Sequence, residues 1–254
     1  MTERRRGERH GTGHTPPLQA LILAGGLGTR LRGVLTDIPK PMAPVAGRPF
    51  LEHLVFQLRG SGVTEIVLST GHLANVIRDH FGDGSALGVS IAYSHEEQPL
   101  GTGGAIKLAE DHLTSPAFLV LNGDSFLDLD IARLVEMHEA RSARVTMALA
   151  SVRDRTRYGA VEVDEKSEVR RFVEKGGDSS SDLINAGIYV LDRSVLGAID
   201  DSGAPVSLEK EVFPTFIGNG FFGCASDGFF IDIGIPADYQ YLQDNPQVLR
   251  TGGR

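Results

Sequence analysis

Four short stretches of the sequence place charged side chains where apolar neighbours or stiff backbone would hold them in fixed positions. LNGDSF (121–126) ends an apolar run on Asp124, and FFIDIG (229–234) sets Asp232 inside another. A carboxylate in such surroundings is costly to bury unless it is paired or bound to a metal. LILAGGLGTRLRG (21–33) breaks an apolar run with Gly25, Gly26 and Gly28, then continues with Thr29, Arg30 and Arg32. Successive backbone N–H groups in such a turn form a concavity for anions. Arg30 adds a planar, permanent cation suited to phosphate oxygens. In TDIPKPMAPVAGRPF (36–50), Lys40 stands between two prolines, so a stiff, extended segment is expected to carry it. Two carboxylates suit a hard divalent cation that completes its shell with phosphate oxygens. Together with an anion turn and two cations, they are the ingredients of a polyphosphate site. Each also has a plain reading: turn or strand-end aspartates, a tight turn with a surface arginine, and a solvent-facing lysine.

The elements that must position these residues follow from the hydrophobic pattern. Residues 18–24, 63–70, 89–94 and 117–123 are short apolar runs of the kind that form fully buried strands. Helical spacing occupies 50–62, 72–81, 101–113 and 131–142. Strands alternating with helices imply crossovers and a mostly parallel sheet covered on both faces. Asp124 then falls just past a strand end, where ligands bind in open α/β sheets. From about residue 143 the text turns β-rich, with strands expected in 144–152, 159–165, 168–175 and 183–192. KGGDSSSD (175–182) reads as a loop. SLEKEVFPTFIG (207–218) and PADYQYLQDN (236–245) read as helices, the second with Pro236 in its first turn. The expected fold is a Rossmann-like, three-layer α/β/α arrangement with a mostly parallel central mixed sheet and a β-rich extension. Residues 1–17, polar and arginine-rich, read as a disordered arm. Residues 18–250 read as a single domain with halves at 18–142 and 143–250.

Composition removes several classes. The 254-residue chain is 41% hydrophobic and 23% charged, as in ordinary globular proteins, and a chain this long buries about three quarters of its unfolded surface. A net charge of −8 argues against a nucleic-acid binder. No apolar stretch approaches the roughly 20 residues that span a bilayer, and the N-terminus lacks the apolar segment of a secretory signal. Neither nucleic acid nor membrane is therefore an expected partner. The lone Cys224 reads as a small buried side chain and favours a reducing compartment, so a cytoplasmic location is expected. The glycine turn is not a P-loop, since no GK[ST] follows. It also misses the dinucleotide fingerprint, because Leu31 stands where the third glycine belongs. A Rossmann oxidoreductase is thereby disfavoured. There is no GxSxG, and HEEQP (95–99) is not HExxH.

LAGGLGTRL followed by PKPM resembles the signature of the sugar-1-phosphate nucleotidyltransferases, or NDP-sugar pyrophosphorylases, and the resemblance runs from residue 18 to about 245. It implies an enzyme that joins a nucleoside triphosphate to a sugar 1-phosphate and releases pyrophosphate, with Mg²⁺ as cofactor. On this resemblance Leu23, Gly25, Gly26, Gly28 and Thr29 cradle the nucleotide. Arg30 and Lys40 are the catalytic cations, and Asp124 and Asp232 are the metal ligands. Asn122, Gly123, Tyr158, Gly159, Glu174, Lys175 and Asn185 take the sugar phosphate. The halves become nucleotide-binding (18–142) and sugar-binding (143–250).

SHEEQPLGTGGA (94–105) resembles the base-contacting segment, with Glu96, Gly101 and Thr102 toward the base. Thymidylyl and uridylyl relatives tend to carry glutamine at the position of Glu96. A carboxylate only accepts, which suits the two donors on the guanine edge. PLGTGGAIK, LINAGIYV, SLEKEVFP and GFFIDIGIPADY are most similar to D-glycero-D-manno-heptose 1-phosphate guanylyltransferases, although Gln98 and Ala186 replace residues common there. The implied substrates are GTP and that heptose phosphate. The alternatives are mannose 1-phosphate, or another hexose 1-phosphate with UTP or dTTP. A non-catalytic nucleotide-sugar sensor is the competing class. Retention of Arg30, Lys40, Asp124 and Asp232 argues against it. The sequence leaves a homo-oligomer open.

Overall fold

The computed structural model describes residues 18–26, 38–152, 158–173 and 181–249. The expected arm (1–17), the tip of the glycine turn with Gly28, Thr29 and Arg30, and Glu174, Lys175 and most of the 175–182 loop lie outside the described residues.

The strands, in chain order, are β1 (Gln19–Leu23), β2 (Pro44–Val45), β3 (Arg48–Pro49), β4 (Glu65–Thr70), β5 (Ser90–His95), β6 (Ala117–Asn122), β7 (Ser125–Leu127), β8 (Val145–Ser151), β9 (Ala160–Val163), β10 (Val169–Val173), β11 (Leu183–Asp192), β12 (Phe221–Ser226) and β13 (Phe230–Asp232). The helices are α1 (Phe50–Gly60), α2 (Ala74–Phe81), α3 (Gly101–Leu108), α4 (Ile131–Ala140) and α5 (Pro236–Asp244). Nine strands form the central sheet along the path β10-β9-β11-β6-β1-β4-β5, with β8 against β11 and β12 against β8. β1, β4, β5 and β6 are mutually parallel, whereas β11 runs antiparallel to both β6 and β8. The expected mostly parallel mixed sheet is the one observed.

Alternation along the strands sorts the core into two layers. Ala20 and Ile22 of β1, with Leu119 and Leu121 of β6, pack with Leu54 and Leu58 of α1 and Leu134 of α4. Leu21, with Phe118 and Val120, packs on the other face with Ile106 of α3 and with Leu208 and Phe213. Because both faces are covered, these strands carry the near-continuous apolar runs of a parallel sheet. Cys224 is buried, as expected, and its thiol is pushed up by that burial.

Three features position the site. Parallel β1, β4, β5 and β6 finish at one edge, on Leu23, Thr70, His95 and Asn122. The short β7 and β13 pair there antiparallel, with Asp232 opposite Ser125. The register of β11 against β8 shifts between Asn185 and Tyr189, a bulge at which Gly187 takes φ +75°. A β-carbon at Gly187 would lie 2.5 Å from Asn122 Nδ2, so both its conformation and its surroundings call for glycine.

Some local expectations are corrected. Lys40 is not on an extended segment but opens a 3₁₀ turn, Lys40–Met42, after an extended Pro39. Met42 N–H bonds Pro39 O at 2.8 Å, and Pro41 sits in a first turn, where its missing N–H costs nothing. The helix expected to reach 113 ends at Leu108, and a separate 3₁₀ turn follows at Glu110–His112. The helix expected over 207–218 is a π-turn, Leu208–Val212, then a 3₁₀ turn, Phe213–Phe216, with Pro214 near the junction. Strand β12 is not among the expected strands: FFGCAS is short and interrupted by Gly223, and its parallel pairing with β8, with a bridge from Phe222 to Glu168, defines it.

Candidate active site

The β7–β13 pairing brings Asp124 and Asp232 together, tied by an Ile233 N–H bond to Asp124 O at 2.9 Å. Lys40 reaches the pair from its 3₁₀ turn. Its Nζ lies 2.5 Å from Asp124 Oδ2 and 3.6 Å from Asp232 Oδ1, with the side chain only 14% exposed. Gly234 N–H donates to Asp232 Oδ1 at 2.7 Å. The Asp232 carboxyl is nevertheless pushed above the ordinary range, first by burial and then by the charge of Asp124, which together outweigh Lys40 and the Gly234 N–H. Among the described residues, one ammonium faces the two carboxylates, so these leave the centre short of positive charge. Among the described residues no group of three or more His, Cys, Asp or Glu side chains is arranged to hold a metal ion. The two aspartates therefore fit an oxygen-seeking divalent cation of the kind that takes one or two carboxylates and finds its other ligands on substrate phosphates.

The wall beside this centre is formed by the ends of β1, β4 and β5. Ala24 N–H bonds Ser69 O at 2.8 Å, Gly123 N–H bonds Leu23 O at 2.9 Å, and Glu96 N–H bonds Thr70 O at 2.8 Å. The Glu96 carboxylate accepts from Ser69 Oγ and from Leu100 N–H, both at 3.0 Å. A β-carbon on Gly25 would stand 2.5 Å from Glu96 Oε1, so glycine at 25 admits this carboxylate to the edge of the turn. Each Glu96 oxygen keeps a free lone pair, since a carboxylate offers about four acceptor sites. Gly26 is exposed at the end of the described part of the turn. Leu23, Gly25 and Glu96, expected at the nucleotide, and Gly123, expected at the sugar phosphate, thus lie along one edge. No signal in the sequence marked Ser69, which looks like an ordinary strand serine.

α3 begins at Gly101, and its N-terminus is wrapped by 206–209. Gly103 N–H bonds Val206 O at 2.8 Å, and Val206 N–H returns to Leu100 O at 2.8 Å. The Thr102 hydroxyl is spent within the protein: it donates to Glu209 Oε2 at 3.0 Å and accepts from Leu208 N–H at 2.8 Å. Only the backbone of Gly101 and Thr102 is left to face a ligand.

On the opposite wall, Ser125 Oγ donates to Ala186 O at 3.2 Å across the bulge that also crowds Asn122. Asn185 donates from Nδ2 to Tyr189 Oη at 2.8 Å and accepts at Oδ1 from Gly187 N–H at 2.8 Å. Tyr189 is fully buried and donates to Glu209 Oε1 at 3.3 Å. Burial, and then the Glu209 charge, hold its phenol well above the ordinary range, so it stays protonated. Tyr158 packs edge-on against Phe230 at 5.6 Å, and its hydroxyl donates to Asp238 Oδ2 of α5 at 3.4 Å. Tyr158 thus reaches the β13–α5 side, while the adjacent Gly159 precedes Ala160, whose antiparallel pairing with Ile184 brings that end of β9 next to Asn185. Glu209, Tyr189 and Asp238 were missed by sequence reasoning. A tyrosine in NAGIYVLD reads as core, but the glutamate inside SLEKEVFP carried a signal, as a charge within an apolar helical pattern.

A mixed sheet whose strand ends gather two carboxylates, a lysine and a glycine turn defines a class, and comparison with known proteins agrees. Residues 19–244 match the nucleotidyl transferase family, and the chain belongs to it. It is 41% identical to mannose-1-phosphate guanylyltransferase of Mycobacterium tuberculosis, over 89% of this chain and 63% of that protein, so it spans just under two thirds of that relative's length. It is 38% identical to D-glycero-alpha-D-manno-heptose 1-phosphate guanylyltransferase of Aneurinibacillus thermoaerophilus, over 91% of this chain and 99% of that one. Among solved structures, HddC from Yersinia pseudotuberculosis complexed with GMP-PN superposes with a TM-score of 0.79 at 36% identity, covering 89% of this chain and 98% of HddC. No helix among the described residues is long and apolar enough to cross a membrane.

Proposed function

We propose that the chain transfers a guanylyl group from GTP to a sugar 1-phosphate, giving a GDP-sugar and pyrophosphate. The observation that carries this reading is the Lys40–Asp124–Asp232 centre beside the Glu96-backed glycine turn. D-glycero-D-manno-heptose 1-phosphate is the favoured acceptor, because the match to the heptose enzyme spans nearly the whole of that protein. Mannose 1-phosphate is the second reading, supported by the 41% identity to the mycobacterial enzyme.

An oxygen of the sugar phosphate attacks the α-phosphorus, and the bond to the bridging oxygen of the departing pyrophosphate breaks. The attacking phosphate is already ionised near neutral pH, so no strong general base is required. Catalysis then rests on positioning and charge neutralisation. Asp124 and Asp232 would hold Mg²⁺, whose chemistry is neutralisation of phosphate charge. Lys40 holds the triphosphate side of the same centre. Glu96 accepts from the guanine edge with its free lone pairs, next to the backbone of Gly101 and Thr102. Arg30, Gly28 and Thr29 are assigned to the triphosphate, and Glu174 and Lys175 to the sugar phosphate, on the family resemblance. The 18–142 half serves the nucleotide and the 143–250 half the sugar. A cytoplasmic location accords with the lone buried Cys224 and with these substrates.

The test is a matrix of the four nucleoside triphosphates against heptose, mannose and glucose 1-phosphates, read by pyrophosphate release. GTP with the heptose phosphate is expected to be fastest. Equal rates with UTP or dTTP would reject the guanine assignment, and a higher rate with mannose 1-phosphate would select the second reading.

A further inference from the structure

We propose that Glu209 is a positioning residue that fixes the nucleotide wall and the sugar wall of the site at once, through Thr102 on one side and Tyr189–Asn185 on the other. The inference rests on the proposed transfer for the identity of the two ligands. Its geometry is independent of that reading.

Glu209 Oε2 accepts from Thr102 Oγ1 and from Ser207 Oγ, both at 3.0 Å, and Oε1 accepts from Tyr189 Oη at 3.3 Å. An ionised carboxylate only accepts, so it dictates the direction of every bond that reaches it. Thr102 has one hydroxyl proton and spends it on Glu209, which leaves its lone pairs to receive Leu208 N–H at 2.8 Å. Tyr189 likewise has one proton, and giving it to Glu209 makes its oxygen the acceptor for Asn185 Nδ2 at 2.8 Å. That in turn turns Asn185 Oδ1 toward Gly187 N–H, also at 2.8 Å. A flipped Asn185 amide would set its NH₂ against the Gly187 N–H, donor facing donor. Gly187 N–H therefore fixes the amide orientation, and the charge at 209 makes Tyr189 the acceptor that this orientation needs, leaving one Asn185 N–H and one oxygen lone pair free for a ligand.

A purely local role is already filled by other groups. Ser207 N–H is taken by Glu211 Oε1 at 2.8 Å, and Lys210 N–H by Ser207 Oγ at 3.3 Å, so the π-turn is capped by Ser207 and Glu211. Glu209 keeps one local bond, from Ser207 Oγ, and its other two contacts are distant in sequence. The segment is also anchored from both sides: Val206 is bonded to α3, and the Phe213 ring lies 5.0 Å from the Tyr189 ring. Groups that orient binding residues in this way contribute by pre-organisation, without touching substrate.

The experiment measures GTP affinity, and sugar 1-phosphate affinity in the presence of a non-transferable GTP analogue, by calorimetry, with thermal midpoints alongside. Glu209→Gln keeps the shape but places an NH₂ against one of two hydroxyls that now donate. Both affinities are expected to fall about tenfold, the size of one charged hydrogen bond. Tyr189→Phe should weaken only the sugar phosphate, and Thr102→Val only GTP. The double variant Glu209→Gln/Tyr189→Phe should bind the sugar phosphate no worse than Glu209→Gln alone, because both cut one chain. Unchanged affinities in Glu209→Gln, with or without a lower midpoint, would overturn the proposal, as would multiplicative losses in the double variant. If Glu209→Gln does not fold, the two single-partner variants decide: each must affect its own ligand alone, and Tyr189→Phe with wild-type sugar phosphate affinity would overturn it. A wild-type protein that binds both ligands but releases no pyrophosphate would sink the transferase reading while the Glu209 comparison still stood.

Discussion

The carboxylate centre and the recognition walls handle charge in opposite ways. At the centre, Asp124 and Asp232 share one ammonium among the described residues, that of Lys40, and the Asp232 carboxyl is raised by burial and by the Asp124 charge. On the walls, Glu96, Thr102 and Asn185 already have partners from the protein. Glu96 is held by Ser69 and Leu100, Thr102 by Glu209 and Leu208, and Asn185 by Tyr189 and Gly187. The contrast separates two tasks. Charge neutralisation needs electrostatics left incomplete until substrate arrives, since a fully compensated centre would gain nothing from phosphate and cation. Recognition needs donors and acceptors fixed beforehand, so that little freedom is lost on binding.

Substitutions at the two regions should therefore differ in kind as well as size. Asp124→Asn and Asp232→Asn remove the charges that fit a divalent cation, and each should abolish metal-dependent pyrophosphate release. Near-normal turnover in either would break the contrast. Lys40→Met should cost on the order of 10²–10³ in kcat, the usual loss for one preorganised electrostatic contact. A rise in KM at unchanged kcat would instead move Lys40 to the recognition class. Glu96→Gln should leave kcat with GTP largely intact but lower the preference for GTP over UTP about tenfold, one charged hydrogen bond's worth. Leu100 N–H can only donate, so the new amide must point its oxygen there and its NH₂ at Ser69, and half of the acceptor edge is lost. An unchanged base profile would remove Glu96 from base reading.

The smallest effect lies away from both regions. His138 is buried on α4 with Nδ1 bonded to Thr146 Oγ1 at 3.0 Å, and burial pulls its pKa below 6.5, against the opposing pull of Asp192 and Glu139. Below about pH 6.5 the unfolded chain binds a proton that the folded chain refuses. The His138 contribution is thus complete above that pH and is lost as the pH falls. The thermal midpoint should drop between pH 7 and pH 5, and His138→Gln should flatten that slope. An unchanged slope would show that groups other than this histidine govern stability there.

How much of this was legible in the sequence follows the same divide. Asp124 and Asp232 stood out because their flanks are apolar, and the glycine turn and Lys40 because their backbone is constrained. Their convergence was not legible, since it depends on two three-residue strands finding each other. The sheet was readable because buried parallel strands keep continuous apolar runs, whereas β12 hid behind Gly223 and the helix expected over 207–218 is divided near Pro214 into a π-turn and a 3₁₀ turn. The Glu209 connection was unreadable for another reason. Tyr189 belongs by pattern to the core, and nothing local shows that its hydroxyl meets a glutamate two elements away. Gly28, Thr29, Arg30, Glu174 and Lys175 rest on resemblance, since they lie outside the described residues.

The central claim is the transfer itself, and ³¹P magnetic resonance of the wild-type protein with GTP, D-glycero-D-manno-heptose 1-phosphate and Mg²⁺ tests it most directly. Pyrophosphate and the two coupled resonances of a GDP-sugar should appear in equal amounts, and only when all three components are present. Unchanged spectra, or the appearance of GDP with free phosphate, would contradict it.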